Sequence, residues 1–281
     1  MPGILYVVAT PIGNLEDVTF RAIRILREVS VIAAEDTRRT SRLLQHYSIA
    51  TPTTSLHEHN EEAKTARLIQ RLSHGESVAL VSDAGTPVVS DPGVRLVAAA
   101  HAAGIRVEPV PGASAVMAAY SASGIGGGEF LFLGFPPAKA SARRAWLERV
   151  AEEERPLVVY EAPHRIRDTL EVMLAVFGDR IVAVGRELTK AHEELVVGPI
   201  SAYLSKEEEP RGEFTVVVSG AVEPSEPQVV PDAADMAAEF GQMTANGDLD
   251  RRGAIQALAA KYRMRSRAVY ALIEAGRSSG D

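Results

Sequence analysis

Residues 77–112 read SVALVSDAGTPVVSDPGVRLVAAAHAAGIRVEPVPG. The segment opens with an apolar run at 77–82 and closes with a second run and a turn at 105–112, and small and aliphatic residues at helical spacing occupy 91–104 between them. A strand, a helix and a strand in this order form a βαβ unit, whose two strands lie parallel in one sheet. The segment therefore predicts an α/β fold with a largely parallel sheet.

The same alternation of strand and helix patterns extends from this segment in both directions. Apolar runs predict further strands at 4–9, 31–36, 130–135, 156–162, 181–188 and 213–220. Amphipathic stretches predict helices at 17–29, 37–47, 61–75, 141–154 and 165–178. A small-residue helix that runs into glycines, at 112–130, separates the two series and predicts a domain boundary. We therefore expect two consecutive α/β lobes, 1–122 and 123–222, then a Pro- and Glu-rich linker at 223–233 and a helical tail at 234–281.

The predicted tail is basic, although the chain as a whole is acidic. The formal net charge is −7, yet residues 251–277 carry seven Lys or Arg against one Glu. Helical patterns occur at 234–245, 251–262 and 266–276, and residues 254–273 have the helix, short turn and second helix of a helix-turn-helix. The pattern alone predicts a small helical hairpin that packs on the main body or on a partner subunit, whereas the basic excess favours contact with nucleic acid.

Composition and missing motifs exclude several classes of protein. The chain has no cysteine, which excludes disulfides, thiolate metal sites and cysteine-held iron–sulfur clusters. No apolar run is long enough for a membrane span and the N-terminus lacks a signal-peptide pattern, so we expect a cytoplasmic protein without membrane contact. The P-loop, GxGxxG and HExxH motifs are absent. His57 and His59 are a weak metal signal, so no metal is predicted.

The densest loop chemistry follows the predicted strands, where an open α/β sheet binds its ligands. Gly85 lets the backbone approach a ligand closely or turn with a positive φ, and Pro87 fixes φ two residues later. The segment 82–86 precedes any helix and is our first candidate for a ligand-binding loop. Asp91 and Pro92 are interpreted as the N-cap and first residue of the next helix. Spacing and composition lead to a two-lobed α/β enzyme with a small polar ligand in the cleft.

These loops together resemble one family. The motifs that carry the resemblance span residues 4–220, and they are LYVVATPIGNLEDVTFRAIRIL, AAEDTRRTSRLL, SLHEHNE, VALVSDAGTPVVSDPG, PVPGASA, FLGFPP, YEAPHR, GRELTKAHEE and RGEFTVVV. The chain resembles the tetrapyrrole methylase (class III methyltransferase) superfamily, and within it the branch that methylates small-subunit ribosomal RNA. TPIGNLxD and SDAGTPxxSDPG are specific to that branch, whereas the corrin and siroheme branches have a more glycine-rich first loop.

The resemblance implies S-adenosylmethionine as methyl donor, bound between the lobes. It also implies 2′-O-methylation of a cytidine in the decoding region of 16S ribosomal RNA, in naked RNA or in the small ribosomal subunit, and a homodimer. Candidate donor contacts in the first lobe are Thr10, Pro11, Asp83, Ala84, Gly85, Thr86, Pro87, Ser114 and Ala115. In the second lobe, the residues expected to close over the adenine are Tyr160, Leu188, Phe214 and Thr215.

Candidates for a catalytic base or orienting group are Glu187 and Lys190, since a buried lysine can have its pKa lowered enough to act as a base. Glu35 and Asp36 are held in reserve, and an ion pair of Glu187 with Arg186 or Arg38 is an equal alternative. Predicted RNA contacts are Arg38, Arg39, Arg165, Arg263, Arg265 and Arg267, whereas Arg42 and Arg167 are interpreted as solvated.

Two other functions stay open at this point. One is a methyltransferase of the same fold that acts on a tetrapyrrole or another metabolite. The other is a non-catalytic RNA-binding protein of ribosome assembly, which would bind the donor without turnover.

Overall fold

The computed structural model describes residues 2–206, 211–221, 231–245, 249–262, 264 and 266–278. Its contacts divide the chain into two compact units. The first unit comprises Met1–Val150 and Arg155–Ser219, and the second comprises Ala151–Glu154 and Gly220–Asp281. No helix among the described residues is both long and apolar enough to cross a membrane.

The first unit begins with a sheet of five parallel strands. Its strands are β1 (Ile4–Val8), β2 (Val31–Ala34), β3 (Thr53–Ser55), β4 (Val78–Val81) and β5 (Arg106–Val110), in the spatial order β3-β2-β4-β1-β5. The helices that connect them are α1 (Phe20–Glu28), α2 (Thr37–His46), α3 (Glu61–Ser73) and α4 (Val94–Ala102). β3 was not predicted, because its sequence Thr-Thr-Ser at the sheet edge has no apolar pattern.

A second sheet of five strands follows in the same unit. Its strands are β6 (Leu131–Gly134), β7 (Leu157–Glu161), β8 (Ile181–Arg186), β9 (Glu194–Pro199) and β10 (Phe214–Val218), in the order β6-β7-β10-β8-β9. The helices of this part are α5 (Ala115–Ser123), α6 (Ala140–Glu148), α7 (Ile166–Phe177) and α8 (Ile200–Leu204).

The prediction of a largely parallel sheet is confirmed for the first sheet and is wrong for the second. Only β6 and β7 pair in parallel there, while β7–β10, β10–β8 and β8–β9 are antiparallel. The difference arises because β9 was not predicted. Residues 192–194 are polar and have no strand pattern, although β9 begins at Glu194 and pairs antiparallel with β8.

Both sheets are covered on two faces by apolar clusters. Every residue of β2, β4 and β10 is buried, as the unbroken runs of Val, Ile, Leu and Ala in the first two predict. α5 packs on the second sheet, where Val116 and Ala119 lie against Val158 and Val217. This packing holds the loop that precedes α5 near the strands of the second lobe.

The interpretation of Asp91 and Pro92 as the helix start is wrong. α4 begins at Val94, and its N-cap is Gly93, with a φ of 121°. A Cβ at this glycine would lie 2.6 Å from Leu80 Cδ2. Close packing against the end of β4 therefore requires a glycine at the cap, and Asp91 stays in the preceding loop with its carboxyl available for other contacts.

The second unit contains three helices with a core of their own. They are α9 (Ala233–Ala245), α10 (Arg251–Lys261) and α11 (Ser266–Ser278), close to the predicted ranges. Their shared core consists of Met236, Phe240, Ala254, Leu258, Val269 and Ile273. Residues 223–230 of the predicted linker lie outside the described residues, and the predicted boundaries at 122 and 223 stay predictions.

Candidate active site

The loops that follow β1, β4 and β5 are joined at the carboxyl edge of the first sheet. Thr10 N donates to Gly85 O at 2.8 Å, and Gly85 N donates to Thr10 O at 3.0 Å. Thr86 Oγ1 donates to the carbonyl of Ala113 at 3.2 Å. These hydrogen bonds join three predicted ligand-binding loops that are far apart in sequence. We call the joined loops after β1, β4 and β5 the floor of the candidate site.

Backbone strain is concentrated at this floor and in a loop of the second lobe. Gly85 has a φ of 80°. Among the described residues other than glycine, five have a positive φ, and four of them lie in these two loops: Val88, Ser90, Glu187 and Thr189. Such conformations cost about 1–3 kcal/mol each and are typical of functional sites, where surrounding contacts enforce them.

Three carboxyl groups lie together beside the floor, namely those of Glu35, Asp83 and Asp91. Asp83 N donates to Glu35 Oε2 at 3.3 Å. Burial raises the pKa of Glu35, and burial together with the charge of Glu35 raises the pKa of Asp91 to about 6. Because the charges of Glu35 and Asp83 oppose ionisation of Asp91, this cluster favours a positively charged ligand. Within the described ranges, no three such side chains are placed to hold a metal ion.

The two lobes of the first unit meet at this edge. Asn14 N, in the loop after β1, donates to Thr189 Oγ1 of the second lobe at 3.0 Å. Ser90 Oγ lies 3.2 Å from the position that a Cβ of Gly134 would occupy. Burial and the charge of Asp91 raise the pKa of Tyr160, a residue of β7. Residues of both lobes therefore come together at this edge, beside the predicted ligand-binding loops.

The predicted adenine contacts of the second lobe divide between two faces of its sheet. Thr215 pairs in register with Tyr160, and Leu188 packs in the same cluster as Tyr160 and α5. Phe214 lies on the opposite face, buried in the cluster of Leu147 and Ile166. Its ring therefore belongs to the core and leaves only backbone atoms for a ligand.

Glu187 and Lys190 form an ion pair that also includes Glu213. Lys190 Nζ donates to Glu187 Oε1 at 2.8 Å and to Glu213 Oε2 at 3.1 Å. Burial opposes the charge of Lys190, but these two hydrogen bonds prevail and raise its pKa. Burial likewise opposes the charge of Glu187, yet the bond from Lys190 and one from Glu213 N lower its pKa. Lys190 thus has the opposite shift from the one that a lysine base needs.

The alternative partners considered for Glu187 are engaged elsewhere. Arg186 Nε lies 3.2 Å from Glu194 Oε2. Arg38 lies 3.4 Å from Asp36, whose carboxylate also accepts from Arg38 N at the start of α2. The ion pair at Glu187 is therefore made by Lys190, a partner that the sequence reasoning did not consider for it.

The arginines expected to contact RNA have different surroundings. Arg38, Arg39 and Arg42 line a surface pocket of about 460 Å³ beside Asp36, and Arg39 lies 3.4 Å from Asp83 Oδ2. Arg165 is largely buried and pairs with Glu161 at 3.1 Å, which is a structural role.

Four further arginines were considered in the sequence. Arg167 is not merely solvated, because it donates to the carbonyls of Leu204 and Lys206 at the end of α8. Arg267 is exposed on α11, and Arg263 and Arg265 lie outside the described residues.

Two residues of this edge were missed by the sequence reasoning. Asp91 was assigned to a helix cap, although the dipeptide Ser-Asp occurs twice in the same loop, at 82–83 and 90–91, and the first copy was recognised. Phe135 belongs to the FLGFPP motif but the sequence predicts no role for it, and it is 56% exposed next to Tyr160.

Comparison with known proteins assigns this architecture to one class of enzymes. The family described as Tetrapyrrole (Corrin/Porphyrin) Methylases matches residues 4–203. Because that match covers more than half of the chain, the chain belongs to the tetrapyrrole methylase family. The predicted superfamily and the predicted α/β fold are confirmed.

Within that family, the chain is similar to proteins named ribosomal RNA small subunit methyltransferase I. It is 50% identical over 230 residues to that of Halalkalibacterium halodurans, which covers 81% of this chain and 80% of the relative. It is 44% identical over 273 residues to that of a Synechocystis species, covering 96% of this chain and 97% of the relative. The similarity to the second relative therefore extends into the C-terminal helices.

Solved structures show the same fold. The methyltransferase CobJ matches with a TM-score of 0.60 at 20% identity, over 80% of this chain and 97% of that one. A uroporphyrin-III-C-methyltransferase from Thermus thermophilus matches with a TM-score of 0.55 at 22% identity, over 79% of this chain and 94% of that one. At these identities the likeness concerns the fold alone.

Proposed function

We propose that this chain transfers the methyl group of S-adenosylmethionine to the ribose 2′-oxygen of a cytidine in the decoding region of 16S ribosomal RNA. The observation that carries the proposal is the convergence of loops from both lobes on one cleft, in a chain that shares 44–50% identity with relatives named as ribosomal RNA methyltransferases. We further propose that the protein acts in the cytoplasm as a homodimer.

The chemistry of the cleft fits the donor. A sulfonium and an ammonium group both carry positive charge, and the half-buried carboxyls of Glu35, Asp83 and Asp91 supply the opposite charge. Gly85 has no side chain, and its paired hydrogen bonds with Thr10 hold the loops after β1 and β4 together at this edge. Tyr160 and Leu188 give the apolar wall that an adenine requires.

Positioning is the main task of such a site. The ribose oxygen attacks the methyl carbon while the carbon–sulfur bond breaks in line with it, and holding the two partners in register can supply roughly 7–11 kcal/mol. The rigid floor of the first lobe and the strained loop at 187–190 serve this alignment. The proton that leaves the ribose hydroxyl requires an acceptor, and Asp91, with a pKa of about 6, is better matched to neutral pH than Lys190 or Glu187.

The role of Asp91 predicts a pH dependence. Its folded-state pKa is raised to about 6, so kcat/KM should rise as pH increases through about 6, because the free enzyme must be ionised there. Asp91→Asn should flatten this rise and lower kcat by roughly 10²-fold or more. Steady-state kinetics between about pH 5 and 8 measures both effects.

Stability gives a second readout for the same residue. Because the pKa of Asp91 is higher in the folded than in the unfolded protein, protonated Asp91 favours folding. This contribution to the unfolding free energy is fully present below the pKa of the unfolded state and is lost as pH rises through about 6. Asp91→Asn should therefore be more stable than the native chain at neutral pH and lose that advantage in acid. Glu129→Gln, at an exposed carboxyl between α5 and β6, is the control and should change neither profile. A native pH profile in Asp91→Asn would contradict the assignment.

The charged state of Lys190 makes a separate prediction. If Lys190 only holds Glu187 and Glu213 in place, Lys190→Arg keeps the charge and should retain kcat within about threefold, although arginine cannot act as a base. Lys190→Met should remove the ion pair and lower activity clearly more. A fall of roughly 10²-fold or more in Lys190→Arg, measured at saturating donor and RNA, would instead make Lys190 the base.

The overall proposal is tested by mass spectrometry of 16S ribosomal RNA from a strain that lacks the gene. We expect one ribose methyl group to be missing and to return when this chain is supplied. An unchanged RNA would favour a metabolite methyltransferase of the same fold, and donor binding without turnover would favour a non-catalytic assembly factor.

A further inference from the structure

Phe135 exposes an aromatic ring at the end of β6. Its relative exposure is 56%, although it directly follows a strand of the second sheet. Single exposed apolar side chains are common on soluble proteins and by themselves carry no meaning. What distinguishes Phe135 is that its surroundings hold it in place and that it lies at the mouth of the cleft.

The ring packs on a neighbouring aromatic ring, and the backbone after it is held by a hydrogen bond. Its centroid lies 5.3 Å from that of Tyr160, whose own ring lies 5.1 Å from Phe132. The carbonyl of the next residue, Pro136, accepts a hydrogen bond from Arg165. Because the ring and the backbone after it are both anchored, Phe135 loses little entropy when a ligand stacks on it.

The anchor itself is buried deep in the second lobe. Arg165 pairs with Glu161, whose side chain is fully buried and also accepts from Thr169 Oγ1 at 2.6 Å. This network explains the YEAPHR motif, since the glutamate and the arginine together position the chain after β6. The backbone directly after Phe135 is therefore held by a buried ion pair.

The residues next to Phe135 and to Val89, an exposed apolar residue of the first lobe, approach each other. Ser90 of the first lobe approaches Gly134, the residue before Phe135, at 3.2 Å from its virtual Cβ. Val88 and Ser90 both have a positive φ, and Val89 between them is 38% exposed. The loop of the first lobe thus displays Val89 next to the point where the lobes meet.

We propose that Phe135, flanked by Val89, stacks on a nucleobase of the substrate RNA and so positions its ribose at the cleft. This inference rests on the proposed function. Specific recognition of single-stranded RNA uses unstacked bases that lie on aromatic side chains. The donor site proposed above is lined by buried or half-buried residues such as Thr10, Tyr160 and Thr215, whereas the exposed ring of Phe135 is accessible to a bulky partner such as RNA.

The test compares Phe135→Ala with Phe135→Trp and with Ile181→Ala. Ile181 is 44% exposed at the far end of β8, so its truncation controls for a lost surface side chain. We expect Phe135→Ala to raise KM for small ribosomal subunits about ten- to hundredfold, the effect of a lost stacking contact. The donor Kd, measured by calorimetry, should stay native, Phe135→Trp should restore KM, and Ile181→Ala should behave as the native chain.

Two outcomes would overturn the inference. A native KM for RNA in Phe135→Ala would show that no base stacks there. A donor Kd that weakens in parallel with KM would assign the ring to the adenine of the donor instead. Failure of the proposed function is distinguishable from both, because the native chain itself would then methylate no ribosomal RNA.

Discussion

Gly85→Val is expected to weaken binding of S-adenosylmethionine by roughly a hundredfold or more, which corresponds to about 2.7 kcal/mol. Gly85 has a φ of 80°, a conformation in which a β-branched residue is strained. A Cβ there would also lie 3.2 Å from Ile12 Cγ2 and 3.6 Å from the carbonyl of Ala113. The valine must therefore shift the bridge between Gly85 and Thr10, on which the floor of the cleft depends.

Gly104→Val separates this effect from backbone strain alone. Gly104 has a φ of 66°, and no atom lies within 4 Å of its virtual Cβ. Both variants should lose about 1–3 kcal/mol of unfolding free energy, but only Gly85→Val should lose donor affinity. Calorimetry measures the affinity and chemical denaturation the stability. Equal donor affinity in the two variants would remove the loop at 82–87 from the binding site.

Much of the first lobe could be predicted from its sequence because local and tertiary preferences agree there. β2 and β4 are unbroken apolar runs that a parallel sheet buries on both faces, and the helices between them carry one apolar stripe each. The ligand loops were also recognisable, because Gly85 and Pro87 have backbone constraints that an ordinary turn does not need.

The second lobe was predicted less well, since its topology depends on pairing rather than on local pattern. β9 is only partly buried and begins with a glutamate, so nothing in its sequence separates it from a loop. β9 runs antiparallel to β8, and β10, which lies between β7 and β8 in the sheet, runs antiparallel to both. Without β9, the sequence gives no sign of these three antiparallel pairs.

Site chemistry was limited in the same way. The pKa shifts of Asp91 and Lys190 depend on neighbours that are far apart in the chain, such as Glu35 for the first and Glu213 for the second. Burial pushes both groups toward their neutral forms, yet only Asp91 is shifted that way, because Lys190 gains two carboxylate partners and Asp91 gains another negative charge. A sequence gives the residue types but not this balance.

The basic helices of the second unit should supply salt-dependent affinity for RNA. We expect the triple variant Arg251→Gln, Arg252→Gln, Arg267→Gln to weaken RNA binding roughly a hundredfold at about 0.05 M salt, since each phosphate contact contributes about 0.7–0.9 to the slope of log K against log salt. All three side chains are exposed on α10 and α11, outside the core of that unit, so its fold should persist. Filter binding to 16S RNA across salt concentrations measures the slope.

A matched triple variant, Arg24→Gln, Arg106→Gln, Arg144→Gln, removes the same charge from the first unit. Each of these arginines pairs with a neighbouring glutamate on the surface, at 2.7, 2.8 and 3.2 Å respectively. If RNA affinity followed net charge alone, the two variants would weaken it equally. If the second unit binds the backbone, only its own variant lowers the slope, by about two, while the donor Kd stays native in both. Solved structures of this fold match only about 80% of this chain. A lower slope in the second-unit variant alone would therefore assign RNA binding to helices outside the shared fold.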